Sequence, residues 1–194
     1  MNRFSIEQIQ KKISCHKRRM IENNFLVRSA VLVPFLETSG GLSLLFTKRT
    51  EMVERHKGQI SFPGGAADDD DGSPIATALR ESFEEIGILP SSVKVLGLLN
   101  DLQTPSNFLI TPVAGYVKKI PEFRISNEEV AEVLIIPFSD FLDETKRRSE
   151  IRTRGGKEFE VYFYDVWKEP VWGATGHIIK EMIDVLSQGD VYRT

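Results

Sequence analysis

Cysteine is nearly missing from this chain of 194 residues, which holds Cys15 and no other. A single thiol cannot form an internal disulfide and suits a reducing compartment, so a cytoplasmic location is expected. Cys15 has no partner at metal-ligand spacing, and His16, His56 and His177 follow no common spacing, so no zinc site is expected. Long apolar runs are lacking too. None approaches the ~18 residues that a membrane-spanning helix needs. The first residues have no apolar centre of the kind a secretory signal carries. Their basic residues (Lys11, Lys12, Lys17, Arg18, Arg19) are interrupted by Glu7 and Glu22, and Ile6, Ile9, Ile13 and Met20 space as the apolar face of an ordinary amphipathic helix. A surplus of one charge is also missing. The net charge of -3 gives no general attraction to nucleic acid. Neither nucleic acid nor a membrane is an expected partner, and no repeat or low-complexity tract stands out.

What is present fits one globular domain: 41% hydrophobic and 27% charged residues, with enough length for a substantial core. Phe25 to Phe35 reads as a strand, Ser39-Gly40-Gly41 as a turn, and Leu42 to Lys48 as the returning strand. Gln59 to Phe62 is a short strand entering Pro63-Gly64-Gly65, where glycines permit tight backbone close to a ligand. Further strands are expected at Val93–Leu99, Ile110–Val117, Val133–Ile136 and Phe159–Val166, the last preceded by a Gly155-Gly156 hairpin signal. Pro137 to Leu142 reads as a short helical turn, and Ile178, Ile179, Met182, Ile183 and Leu186 form the apolar stripe of a final helix. Mixed strands broken by two main helices predict an α+β or sandwich-like fold rather than a doubly wound parallel sheet.

The most informative stretch runs from Gly65, through the aspartates Asp68 to Asp71, into a helix. Ser73 is a credible N-cap, Pro74 suits the first helical position, Gly87 is placed to end the helix and Pro90 blocks its continuation. Glu81, Glu84 and Glu85 fall within one sector of roughly 100° on it. Ile75, Leu79, Phe83 and Ile86 fall opposite and are expected to face the core. Like charges so spaced repel by a few tenths of a kcal/mol per pair, so helix stability does not account for them. Two readings remain, a solvated acidic face or a site for a hard divalent cation. The glycine loop, Arg80 and Gly87 favour the second.

The segment Arg80-Glu81-Ser82-Phe83-Glu84-Glu85-Ile86-Gly87-Ile88 resembles the signature of the Nudix hydrolases, with Ser82 at a position the family keeps apolar. The interval from Gly65 to Arg80 is one residue longer than usual, and an aspartate must stand in for the family's spaced glutamate. Upstream, Phe46-Thr47-Lys48-Arg49-Thr50 and Gly58-Gln59-Ile60-Ser61-Phe62-Pro63-Gly64-Gly65 are similar to the motif that precedes the box in coenzyme A pyrophosphatases. That branch also has the longer interval and the Ala76-Thr77-Ala78-Leu79-Arg80-Glu81 sequence. Val171-Trp172-Gly173-Ala174-Thr175-Gly176 looks like its closing segment, so the resemblance spans Leu26 to Leu186. One departure bears on substrate: where the branch carries an arginine, this chain has Glu54, with Arg55 next to it and His56 as the branch has it.

The resemblance implies an α+β fold, an α/β/α sandwich with a mixed sheet, formed by residues 25–194 with residues 1–24 as an added helical extension. It implies a pyrophosphohydrolase that uses Mg2+ or Mn2+ and acts on a small dinucleotide-like molecule, coenzyme A or an acyl derivative first. ADP-ribose or a nucleoside-diphosphate sugar is the alternative substrate, and a non-catalytic ligand sensor the alternative role. Glu81 and Glu85 are the main expected metal ligands, with Glu84 contributing directly or through water, and Arg80 orienting a carboxylate through a bidentate pair. Gly64 and Gly65 are expected at the substrate, with the Gly65 carbonyl turned to the cation or the residue admitting substrate closely. Asp71 is the candidate for the spaced acid, on a loop whose aspartates would otherwise simply be solvated. In Asn127-Glu128-Glu129-Val130, Glu129 is the candidate to hold a further metal or position the attacking water, against the alternative of a surface carboxylate. Arg49 and Arg55, with Lys48 and Lys57, are candidates to meet substrate phosphates. Phe108, Tyr116, Tyr162 and Trp172 are aromatic enough to stack on adenine, although packing is the default for each. Exposed sheet edges make a homodimer reasonable.

Overall fold

The longest strand sets the layers. In the computed structural model, which describes residues 4–50 and 58–188, β1 (Val27–Thr38) is buried on both faces through its middle. Its side chains alternate with period two, as the pleat requires. Val33 and Phe35 enter one apolar core, while Ala30, Leu32 and Leu36 enter smaller clusters on the other face. Phe25 lies before this strand and is exposed, so the strand begins later than its sequence suggests.

Around β1 lie β2 (Gly41–Arg49), β3 (Ile60–Ser61), β4 (Gly64–Ala66), β5 (Val93–Leu98), β6 (Leu102–Gln103), β7 (Phe108–Val117) and β8 (Val130–Pro137). The main path runs β3-β2-β1-β7-β5, with β4 paired to β1, β6 to β7 and β8 to β2. β1 and β7 are parallel and the other pairs antiparallel, which makes the sheet mixed. A second, antiparallel sheet contains β9 (Arg147–Arg154), β10 (Lys157–Tyr164) and β11 (Val171–Trp172) in the order β11-β10-β9.

Among the described residues four α-helices complete the sandwich: α1 (Ile6–Cys15), α2 (Pro74–Ile86), α3 (Phe138–Leu142) and α4 (Gly173–Ser187). α2 covers one face of the main sheet, with Ala78 and Ile86 in the clusters there. The other face carries the larger core, to which α1, α3, α4 and the second sheet all contribute. A reciprocal capping box between Ser5 and Gln8 starts α1. Its Ile6, Ile9 and Ile13 are buried within that larger core. Met20 does not extend this face: the helix ends at Cys15 and Met20 is 66% exposed. The chain beyond α1 is instead fixed by polar contacts, with Arg18 to Asp101 at 2.5 Å and His16 Nε2 to Asn100 Oδ1 at 2.8 Å. Among the described residues no helix is long and apolar enough to cross a membrane.

Candidate active site

The glutamate helix begins and ends where its local sequence dictates. The Ser73 hydroxyl accepts from the Ala76 N–H, Pro74 opens the first turn, and Gly87 at φ 78° closes the helix in the left-handed region. Its buried face differs from the expected one. Phe83 is 48% exposed, whereas Ala78, Ser82, Glu85 and Ile86 are buried. At 100° per residue this turns the inward face by roughly 60° towards the glutamates. Ser82 tolerates burial because its hydroxyl donates to the Ala78 carbonyl at 2.6 Å. The rotation grades the three carboxylates: Glu85 is 4% exposed, the Glu81 side chain 17% and the Glu84 side chain 55%.

Backbone from β4 meets the inner two. The Gly64 N–H donates to Glu85 Oε2 at 3.2 Å. A Cβ on Gly65 would lie 2.5 Å from the Glu81 carboxylate, and one on Gly64 would lie 2.3 Å from the Ala30 carbonyl oxygen. Neither position admits a side chain without displacing the site or the strand beneath it. We expect Gly65→Ala to lower kcat/KM by ~10-fold or more by pushing Glu81 away while the circular dichroism spectrum is unchanged; steady-state kinetics at saturating metal check this.

Arg80 joins the aspartate loop to the helix. Its guanidinium donates to Asp71 Oδ2 at 2.8 Å, Glu81 Oε1 at 3.0 Å, Glu84 Oε2 at 2.9 Å and the Ala66 carbonyl at 3.0 Å. Asp71 therefore meets the arginine, and its carboxyl is held well below the usual range by the Arg80 bonds and the Asp68 N–H. Arg80 orients three carboxylates rather than one.

Glu129 arrives through the C-terminal end of the same helix. The last carbonyls of an α-helix lack internal partners. Here Glu85 O accepts from the Ser126 N–H at 2.8 Å and Ile86 O from the Arg124 N–H at 3.1 Å. The loop so attached continues to Glu129, whose carbonyl accepts from the Thr50 N–H at 3.0 Å. Between Lys48 and Arg49 the β2–β8 register slips. Such irregularities re-aim side chains, and Arg49 lies near enough to act on the charge of Glu85. Burial pushes the Glu85 carboxyl up to about 8; the Gly64 N–H and Arg49 oppose this, and Glu81 and Glu129 add to it. Glu81 is also raised by burial, against Arg80 and with Glu84 and Glu129.

Arg49, Gly64, Gly65, Arg80, Glu81, Glu84, Glu85 and Glu129 are thus brought to one region. Lys48 pairs with Glu169 at 2.7 Å. Arg55, with Glu54, His56 and Lys57, lies outside the described residues. Tyr116 and Tyr162 pack against the larger core and Trp172 stacks on Phe163, as ordinary packing would have it. The clamp by Arg124 and Ser126 has no signature in the sequence, because it is made by backbone groups.

Residues 26–154 match the NUDIX domain. The chain belongs to the Nudix hydrolase family. It is 34% identical over 177 residues to a protein of Photorhabdus laumondii named as an uncharacterized Nudix hydrolase, NudL, covering 91% of this chain and 93% of that one. The NudL of Yersinia pestis (strain Pestoides F) is 36% identical over 188 residues, covering 96% and 93%. Among solved structures, the C. elegans Ap4A hydrolase binary complex aligns with TM-score 0.51 and 16% identity over 58% of this chain and 81% of that chain, a likeness of fold.

A Nudix hydrolase active as a pyrophosphohydrolase generally works with a divalent cation, and the residues present fit one. All four carboxylates are hard oxygen donors, the kind Mg2+ and Mn2+ prefer. Glu85 is a buried carboxylate whose ionisation its surroundings oppose, so a cation beside it would relieve that opposition. In the present side-chain arrangement no group of three His, Cys, Asp or Glu among the described residues forms a finished cation cage. Glu81 and Glu84 are both drawn to Arg80.

Proposed function

We propose that this Nudix pyrophosphohydrolase cleaves the diphosphate of coenzyme A or an acyl-coenzyme A to adenosine 3',5'-bisphosphate and a 4'-phosphopantetheine product, using Mg2+ or Mn2+ in the cytoplasm. The observation that carries the chemistry is the buried Glu85 carboxylate, bonded to the Gly64 N–H and neighboured by Glu81 and Glu129. Glu81 and Glu85 would hold the cation, with Glu84 joining directly or through water. Bound there, the cation would screen the diphosphate and stabilise the departing phosphate.

The remaining work belongs to the chain. Glu129 is exposed on its loop yet close enough to act on Glu81 and Glu85. Its carboxylate takes the proton of the attacking water and positions it. Attack at one phosphorus breaks that atom's bond to the bridging oxygen, whose electron pair leaves with the second phosphate. Arg80 fixes the carboxylates during this step, and Arg49, with Arg55, contributes positive charge for substrate. Gly64 and Gly65 leave the backbone open to close approach.

Substrate choice rests on the segment Gly58 to Gly65, on the long interval from Gly65 to Arg80 and on Val171 to Gly176. Glu54, where that branch has arginine, favours a second reading, ADP-ribose or a nucleoside-diphosphate sugar. Product analysis separates them. With Mg2+ or Mn2+, coenzyme A is expected to yield adenosine 3',5'-bisphosphate at a kcat/KM at least ~10-fold above that for ADP-ribose or nucleotide sugars, a discrimination of about 1.4 kcal/mol. Cleavage of ADP-ribose without cleavage of coenzyme A sinks the coenzyme A reading. Turnover of no diphosphate with either metal favours the sensor.

A further inference from the structure

We propose that the outer edge of β9 is a self-complementary surface through which two copies of this chain pair. Among the described residues β9 is bonded on one side only, to β10. The two strands close at the two-residue turn Gly155-Gly156, with Arg154 facing Lys157. The closing pair of such a turn exchanges both backbone bonds, and bonded and non-bonded pairs then alternate. Arg154, Arg152, Glu150 and Arg148 therefore turn their amides towards β10, while Thr153, Ile151 and Ser149 present theirs outward; the Arg147 N–H is taken by the Glu144 carbonyl. An unpaired row of this kind is a template for another strand.

Side chains select the partner and its register. An antiparallel pair of identical strands has a two-fold axis, so each residue meets its mirror position. Centred on Glu150 or on Arg152, a charge faces its own copy. Centred on Ser149, Ile151 faces Arg147 and the overlap is shorter. Centred on Ile151, every outward amide meets an outward carbonyl and Glu150 lies opposite Arg152 of the second copy, twice over. Ser149 then faces Thr153, and Ile151, 64% exposed, meets its copy on the axis. One like-charged pairing remains and it too occurs twice, Arg148 opposite Arg154 at the two ends of the ladder. There Arg148 is already paired with Glu150 at 2.6 Å and Asp165 at 3.4 Å and lies over the Phe163 ring at 4.0 Å. Opposite charges across a strand pair are favourable and like charges costly. A contact built on one strand pair is small, so the dimer depends on concentration.

Charge exchange tests this with the full chain. Within one strand Glu150 also pairs with Arg148 and Arg152, so a single reversal alone would not separate contacts within a chain from contacts between chains. Two reversals mixed do separate them. Sedimentation equilibrium of the wild-type protein is expected to show a monomer–dimer equilibrium. Glu150→Arg and Arg152→Glu should each weaken it at least ~10-fold with unchanged melting temperature, because the side chains are 44% exposed. Mixed in equal amounts, the two variants should associate with each other. One then carries arginine at both positions and the other glutamate at both, so opposite charges meet only between chains. A wild-type chain that stays monomeric, single variants that dimerise as well as wild type, or a mixture that gains nothing over its components each overturns the proposal.

Discussion

Replacing Glu85 by glutamine is expected to lower metal-dependent hydrolysis by about 10²-fold or more and, in the absence of metal, to stabilise the protein at pH 8. The first effect follows from deleting a charge at the cation in a site shielded from water. The second follows from the cost of burying that charge. The folded-state value for Glu85 is raised from 4.5 to about 8. Its favourable contribution is therefore complete below pH 4.5 and is lost as the pH rises towards about 8, because the folded chain then resists losing the proton. Each unit is worth about 1.4 kcal/mol, so the loss is on the order of 2–5 kcal/mol. Chemical denaturation of the metal-free protein at pH 5 and pH 8 should show this slope in the wild type and a much smaller one in Glu85→Gln. Added Mg2+ should raise wild-type stability at pH 8 more than that of the variant. Equal turnover in the variant removes Glu85 from the site; equal slopes remove the charge-burial account.

Arg80→Ala is expected to cost about 2–3 kcal/mol of stability and ~10–100-fold in activity, with weaker metal binding. The stability figure lies below that for breaking a fully buried pair because the arginine side chain is 24% exposed. Removal strands Asp71, whose side chain is 7% exposed, and frees Glu81 and Glu84 to repel one another. Arg80→Lys keeps the charge but lacks the planar fork that reaches Asp71, Glu81, Glu84 and Ala66 together, so it should recover only part of the activity. The pH dependence has the opposite sign from that of Glu85. Asp71 is depressed below its ordinary 3.8, so its contribution is present above pH 3.8 and is lost as the pH falls through its folded value. Acid unfolding should accordingly begin at higher pH in Arg80→Ala than in the wild type. Thermal melts from pH 2 to pH 7, with metal titrations of turnover, check both effects.

Much of the glutamate helix was legible because its signals are local. Ser73, Pro74 and Gly87 act on their own turns and needed no neighbour to be read. Phe83 misled for the converse reason. Periodicity ranks apolar residues by spacing, but which arc faces inward depends on what the helix lies against. Here β4 presents two glycines, so the carboxylate side approaches the strand and Phe83 turns out to solvent. β9 escaped a sequence reading as well: Arg147 to Arg154 holds Ile151 as its one apolar residue, and pairing with β10 makes it a strand. The hairpin signal at Gly155-Gly156 was correct, yet only its second strand had the alternation to declare itself.

The sequence alone determined the reaction, through its likeness to the Nudix signature: a glycine turn, an arginine and three glutamates at helical spacing are a local arrangement, complete within one loop and one helix. Tertiary structure decided how unlike those glutamates are. It buried Glu85, half-buried Glu81 and left Glu84 in solvent, through contacts between segments far apart in the chain. The same contacts set Glu129 beside them by bonding its loop to the open carbonyls at the helix end. Burial and electrostatic neighbours are properties of the packed whole, which is why identical residue types at regular spacing acquire different surroundings.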